Sequence, residues 1–249
     1  MEKEHQFNMT EISNRRVLII GAGGYIGPVV TKHLLVLGYS VRALDLFLYN
    51  TQSVLAEFLD NPAFELVVGD HCDKNVISDA LANITDVVIL AGLVGDPITK
   101  KYPHESQKIN DDGLHRVVDL LNNRSLNRVI FISTCSNYGL IEGGELADET
   151  FQLNPLSLYA KAKVTMERTL IGLQGDVDYS PTVLRFATAF GLAPRMRFDL
   201  TVSQFTRDMH MGREMLVYDA DTWRPGPGAD VAARSRGRRP VRSLQPWPL

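Results

Sequence analysis

Tyr159 and Lys163 stand four residues apart in the stretch PLSLYAKAK, 155–163. On a helix, residues at that spacing share one face. A lysine ammonium beside a phenol lowers the phenol pKa from its ordinary value near ~10, and the phenolate can then take a proton from a substrate alcohol. The pattern is common by chance, and a surface tyrosine with a solvated lysine satisfies it equally. A second candidate is Thr134 in FISTCSNYG, 131–139, where an apolar run ends in hydroxyl residues. In an open parallel sheet, ligands bind at the carboxyl ends of strands. A threonine there can donate to a substrate oxygen or make a local turn bond.

A third stretch, VLIIGAGGYIGPVV at 17–30, carries Gly21, Gly24 and Gly27 in the spacing G-x-x-G-x-x-G. The first glycine lets a strand turn sharply. The second lets a pyrophosphate approach bare backbone at a helix N-terminus, and the third lets that helix pack closely on the sheet. A plain strand–helix turn would also use such glycines. Context favours a dinucleotide: a strand precedes, a helix follows, and Asp45 ends the next strand 24 residues on. The Asp45 carboxylate can accept from ribose hydroxyls and would repel a 2′-phosphate, so NAD is expected over NADP. No G-x-x-x-x-G-K-[ST] run is present, which argues against a nucleoside triphosphatase.

These groups need a frame. Apolar runs at 16–21, 40–45, 64–70, 86–92, 128–134 and 182–187 are rich in Val, Ile and Leu on both alternating positions. That suits strands buried on both faces. Helix-like segments lie between them near 24–38, 51–60, 73–82, 105–122 and 156–173. The alternation predicts an α/β fold, a Rossmann-type doubly wound parallel sheet with helices on both faces. Residues 1–14 read as a flexible arm. The chain of 249 residues carries a net charge of −3, so neither nucleic acid nor an anionic membrane is expected as partner. Cys72 and Cys135 are too few for a disulfide framework or a four-ligand zinc site, and no metal is expected. No apolar run nears the ~20 residues that span a bilayer, and the polar N-terminus is no signal peptide. A cytoplasmic location is the expectation.

Taken together, the three stretches resemble the extended short-chain dehydrogenase/reductase family, the NAD-dependent nucleotide-sugar epimerases and dehydratases. Further motifs join the resemblance: GDHCD with Asp70, LAG at 90–92, N-x-x-G at 110–113, LRFATAFG at 184–191 and WRP at 223–225. It implies NAD as cofactor, held by Gly21, Gly24, Tyr25, Ile26, Gly27, Asp45, Asp70, His71, Ala91, Gly92, Leu93, Asn110, Tyr159, Lys163 and Phe186. Asn110 is implied as a structural polar residue behind the site. It implies Tyr159 as general base and Lys163 as the residue that orients the nicotinamide ribose. Thr134 and Ser136 are implied to meet the sugar, and Arg224 the nucleotide diphosphate. A nucleotide sugar is the implied substrate, with a homodimer left open.

The family's 4,6-dehydratases carry an acid/base pair at the two positions after the threonine. Here these are Cys135 and Ser136, with no base to remove a proton next to a transient ketone. A 4-epimerase is therefore favoured over a dehydratase, with a sugar ketoreductase as a further alternative. The expected division is an NAD-binding unit at 15–190, a partial substrate lobe at 191–225 and an atypical tail at 226–249. Residues 225–249 hold five Pro and five Arg with a single acid. That bias reads like a GC-rich gene in a shifted frame, so the expectation is a loosely packed tail without strand periodicity and weak turnover. The alternative in a different class is a cofactor-holding module that turns nothing over.

Overall fold

The computed structural model describes residues 12, 14–141, 146–214 and 232–233. Six strands run parallel: β1 Arg16–Ile20, β2 Ser40–Asp45, β3 Phe64–Val68, β4 Asp86–Ile89, β5 Arg128–Thr134 and β6 Ser180–Phe186. A two-residue β7, Ala232–Ala233, pairs antiparallel with β6. The spatial order is β3-β2-β1-β4-β5-β6-β7. It reverses direction between β1 and β4, the switch point where doubly wound sheets bind dinucleotides.

The apolar strands are buried as their sequence demands. All four residues of β4 are buried, and Leu18, Ile19 and Ile20 of β1 are sealed from solvent. One core layer joins Leu18, Ile20, Val87 and Ile89 to helix residues Ile77, Val117, Leu121, Met166 and Leu170. These come from α2 Lys74–Ala80, α5 Leu114–Leu121 and α6 Leu158–Gly172. The opposite layer joins Val17, Ile19, Val41 and Ala43 to Leu55 and Phe58, with Val30 and Leu34 against it. Val30 and Leu34 belong to α1, Gly27–Val36; Leu55 and Phe58 lie on a 3₁₀ helix, Gln52–Phe58.

Several expectations need correction. The segment near 105–122 is not one α-helix. It is α4 Pro103–Gln107, a π-helical stretch Lys108–Gly113 and then α5. Two helices were not anticipated: α3 Asp96–Lys101 and α7 Thr201–His210. Of the arm expected at 1–14, only Ile12 and Asn14 are among the described residues. Ile12 is buried, Arg15 N–H donates to its carbonyl at 2.9 Å, and the Arg15 Nε donates to Asp86 at 2.9 Å. One apolar side chain among polar neighbours finds cover, and the following arginine finds a buried carboxylate. Residues 232–233 do form a strand, because the open edge of β6 presents main-chain groups that an extended pair can satisfy. The rest of the tail, and Arg224 with it, lies outside the described residues.

Candidate active site

Strand register gathers the predicted groups along one edge. Ile20 pairs with Leu44 and with Ile89, and Ile89 pairs with Phe131. Thr134 pairs with Phe186 at the last rung. Gly21, Asp45, Ala91, Thr134 and Phe186 therefore all stand at the carboxyl ends of their strands.

The glycine turn is fixed by backbone contacts. Gly21 has φ +91°, and its N–H donates to Leu44 O at 2.8 Å. A Cβ on Gly21 would lie 2.5 Å from Ala91 N, and one on Gly27 would lie 2.1 Å from Ala22 O. Both must be glycine for protein reasons alone. Gly24 differs: a Cβ there meets only Gly21 O, at 3.4 Å. Ile26 is the N-cap of α1, with Pro28 in the first turn. The first N–H groups of any helix lack internal acceptors and so face whatever lies beyond the terminus. The hydroxyl of Tyr25 donates to Gly191 O at 2.6 Å, which ties the segment after β6 across this turn.

Asp45 is built into the turn more firmly than its sequence position reveals. Its carboxylate accepts from Gly23 N–H at 2.8 Å and from Phe47 N–H at 2.6 Å. Gly23 is also a required glycine, since its Cβ would strike the buried Phe47 ring at 2.5 Å. Gly23 and Phe47 were not picked out in the sequence. Their signal was weak: an extra glycine, and an aromatic two residues past the acid. With one bond on each oxygen, lone pairs remain for a ribose hydroxyl.

The loop after β4 is held from behind. Asn110 is buried, its Oδ1 accepting from Leu93 N–H at 2.7 Å and its Nδ2 donating to Leu93 O at 2.9 Å. Gly92, at φ +145°, leaves 2.9 Å between its absent Cβ and that Oδ1. On the far side, Asp70 Oδ1 accepts from Cys72 N–H at 2.8 Å and His71 Nε2 sits 3.1 Å from Ile109 O. Asp70, His71 and Cys72 bring an oxygen, a nitrogen and a sulfur within 4.8 Å of one another. Burial pushes the Cys72 thiol up to about 11, with Asp70 adding to the shift, so this sulfur stays protonated and packed. Burial works to raise the Asp70 pKa, but the bonds from Cys72 and the charges of His71 and Lys108 outweigh it and leave it lowered.

The reacting side is carried by β5, the short turn after it, and α6. Thr134 Oγ1 accepts from Ser136 N–H at 3.1 Å and donates to Ser136 Oγ at 3.2 Å, so both hydroxyls sit on one turn. The Ser157 hydroxyl caps α6 by accepting from Ala160 N–H at 3.1 Å. Tyr159 is thereby in the first turn of α6 and Lys163 in the next. Lys163 is 5% exposed; its Nζ donates to Ile132 O at 2.8 Å and lies 4.4 Å from the Phe131 ring centre and 5.8 Å from that of Tyr159. Burial brings its pKa down to about 8, with Glu167 opposing the fall. Arg195 stacks on the Tyr49 ring at 4.4 Å. Arg197 is held protonated first by its bonds to Asp199, with the phenols of Tyr159 and Tyr49 adding to the effect. These arginines were also missed, since nothing in APRMRFD, 193–199, marks them as cleft residues.

An edge with a tight glycine turn, a helix N-terminus, a strand-end carboxylate and a tyrosine beside a buried lysine fits an NAD molecule. Residues 17–225 match the NAD dependent epimerase/dehydratase family, and the chain belongs to it. A protein of Escherichia coli O111:H−, known as an uncharacterized 37.6 kDa protein in the cld 5′ region, is 27% identical over 82% of this chain and 62% of its own length. A UDP-glucose 4-epimerase of Rhizobium leguminosarum bv. trifolii is 28% identical over 72% of this chain and 54% of that enzyme. Among solved structures, MoeE5 in complex with UDP-glucose and NAD aligns with a TM-score of 0.67 and 28% identity, covering 78% of this chain and 60% of that one. The Thermotoga maritima UDP-glucose 4-epimerase with UDP-glucose aligns at 0.72 and 25%, covering 82% and 66%. The chain thus spans about half to two thirds of the length of these relatives. Among the described residues, no helix is long and apolar enough to cross a membrane.

Proposed function

We propose that this chain is the NAD-holding and catalytic core of a nucleotide-sugar 4-epimerase. The observation that carries the reading is the placement of Lys163. Its ammonium is buried under the Tyr159 and Phe131 rings, bonded to the strand that ends in Thr134, on the same sheet edge as the glycine turn. Asp45 and the N-terminus of α1 would hold the adenosine ribose and the diphosphate, favouring NAD over NADP. Bound there, NAD supplies reversible oxidation of the sugar carbon.

Tyr159 takes the proton of the sugar 4-hydroxyl and returns it after the keto sugar has turned over in the pocket. The Lys163 charge favours the phenolate. The hydroxyls of Thr134 and Ser136 orient the sugar oxygen. The absence of a carboxylate at 135 and 136 supports epimerisation over dehydration. Residues 15–190 form the NAD-holding unit in this reading, and 191–225 begin the substrate lobe, with Arg224 the proposed ligand of the diphosphate. A cytoplasmic location and a homodimer fit this reading. The Pro- and Arg-rich composition of residues 225–249 favours a second reading, a core that binds NAD and turns sugars over weakly.

The experiment is incubation of the NAD-loaded chain with UDP-, dTDP-, CDP- and GDP-hexoses, followed by proton NMR and absorbance of reduced cofactor. Inversion at C4 without net reduced cofactor supports the epimerase. Accumulating reduced cofactor means a dehydrogenase, and loss of water a dehydratase. NAD binding with no sugar chemistry leaves the binding core.

A further inference from the structure

A buried polar cluster behind the site is not used by the reaction as described. Glu167, 3% exposed, lies on α6 four residues after Lys163 and eight after Tyr159, so all three share one helix face. Its Oε1 accepts from Asn137 Nδ2 at 2.7 Å, and the same amide donates to Ser133 Oγ at 3.0 Å. Its Oε2 accepts from Arg185 Nη2 at 2.8 Å and Nε at 3.0 Å. Arg185 Nη1 donates to the Tyr138 hydroxyl at 3.0 Å, which in turn donates to Asp148 O at 3.0 Å. Burial works against the Arg185 charge, but the bonds to Glu167 and Tyr138 outweigh it and keep the guanidinium protonated.

One carboxylate therefore joins three elements that carry site residues. Asn137 belongs to the turn with Thr134 and Ser136, Arg185 precedes Phe186 on β6, and Glu167 shares α6 with Tyr159 and Lys163. A buried ion pair of this kind is a poor source of net stability, because desolvation offsets most of the attraction. Its use here is positional. We propose that Glu167 is a positioning residue: its carboxylate locks the threonine turn, β6 and α6 together and stands one helical turn from Lys163 as the counter-charge to that ammonium.

Around Lys163, α6 contributes Tyr159 and Glu167, and β5 contributes the Phe131 ring and the Ile132 carbonyl. Arg185 of β6 is paired with Glu167 at 2.8 Å. The α3 segment packed on α6 carries Lys100 and Lys101, and the π-helical segment carries Lys108, Asp111 and Asp112. Also packed on α6 are α5, with His115, Arg116 and Asp119, and the turn after β5, with Cys135 and Tyr138; Glu167 works to hold the Lys163 charge against burial. The functional consequence rests on the reading of Lys163 as the partner of Tyr159; the protonation claim stands without it.

The test is the pH midpoint for acylation of Lys163 by acetic anhydride, localised by fragment-ion mass spectrometry in the intact chain without cofactor. The wild type is expected near pH 8. Glu167→Gln keeps the shape and removes the charge, and should lower the midpoint by about one unit. Arg185→Gln leaves Glu167 buried without its guanidinium partner, so it takes up a proton more readily, and the midpoint should fall by less than in Glu167→Gln. A merely structural role predicts lower melting temperatures for both with no midpoint shift in Glu167→Gln, and that result overturns the proposal, as does a fall of equal size in both. Should a single variant fail to fold, Glu167→Gln/Arg185→Gln removes both charges. Its midpoint should fall below wild type, and an unchanged value overturns the proposal. Failure to bind NAD would overturn the proposed function and leave this inference standing.

Discussion

Gly24 and Gly27 sit three residues apart in the same turn, and adding one methyl to each should produce opposite phenotypes. A Cβ on Gly27 would lie 2.1 Å from Ala22 O and 2.5 Å from Ala22 C. Both are backbone atoms, and the turn that holds them is pinned by Gly21 and Ala22 N–H bonds to Leu44 O at 2.8 and 3.3 Å. No rotamer relieves the clash, so α1 must retreat by roughly 1 Å from the sheet edge. Overpacking of this kind costs about 1–3 kcal/mol, worth about 2–4 °C of melting temperature per kcal/mol at this size. A Cβ on Gly24 meets only Gly21 O at 3.4 Å, an ordinary contact. Its φ is outside the left-handed region, so alanine there also trims unfolded-state entropy by about 0.4–1 kcal/mol. Gly24→Ala should therefore melt at or slightly above wild type. Its methyl would stand where the diphosphate approaches, and NAD affinity should fall at least about tenfold, or 1.4 kcal/mol. Thermal melts without cofactor and calorimetric NAD titration read the two effects separately. Equal loss of stability in both variants, or wild-type NAD affinity in Gly24→Ala, would refute the division between a packing glycine and a ligand glycine.

Replacing Asp45 by Ala should narrow the preference for NAD over NADP in calorimetry, since the repulsion of a 2′-phosphate disappears. It should also cost some stability, because Gly23 and Phe47 N–H lose their acceptor. Tyr159→Phe should keep cofactor affinity near wild type and lower any turnover by about 10²–10⁴-fold, the usual scale of proton-transfer catalysis; unchanged turnover would place the base elsewhere. Asn110→Ala strands the buried N–H and C=O of Leu93 and should destabilise by about 2–4 kcal/mol in denaturant melts.

Much of the frame was legible because buried parallel strands must be apolar on both faces. The six runs from RVLII to TVLRF all became strands of one sheet. The Gly21–Gly27 turn and the Tyr159–Lys163 spacing were legible because each is a local device. What stayed hidden is long-range. The Asn137–Glu167–Arg185 cluster joins residues 18 to 48 positions apart, and no periodicity announces it. The break of the 105–122 segment into α4, a π stretch and α5 was hidden too, since hydrophobic spacing changes little when one residue bulges. Helix α7 escaped although Val202, Phe205 and Met209 stand at i, i+3 and i+7; its buried residues, Ser203 and Asp208, are polar.

Under the proposed function the sugar is oxidised at C4 and restored at the same carbon, with Tyr159 moving the proton. The most direct test is incubation of the NAD-loaded chain with a nucleotide hexose deuterated at C4, with the label followed by NMR and mass spectrometry. The account predicts that both C4 epimers appear and both retain deuterium at C4, with the reaction suppressed in Tyr159→Phe. Loss of the label to solvent, or no C4 epimer from any nucleotide hexose under NAD saturation, would contradict it.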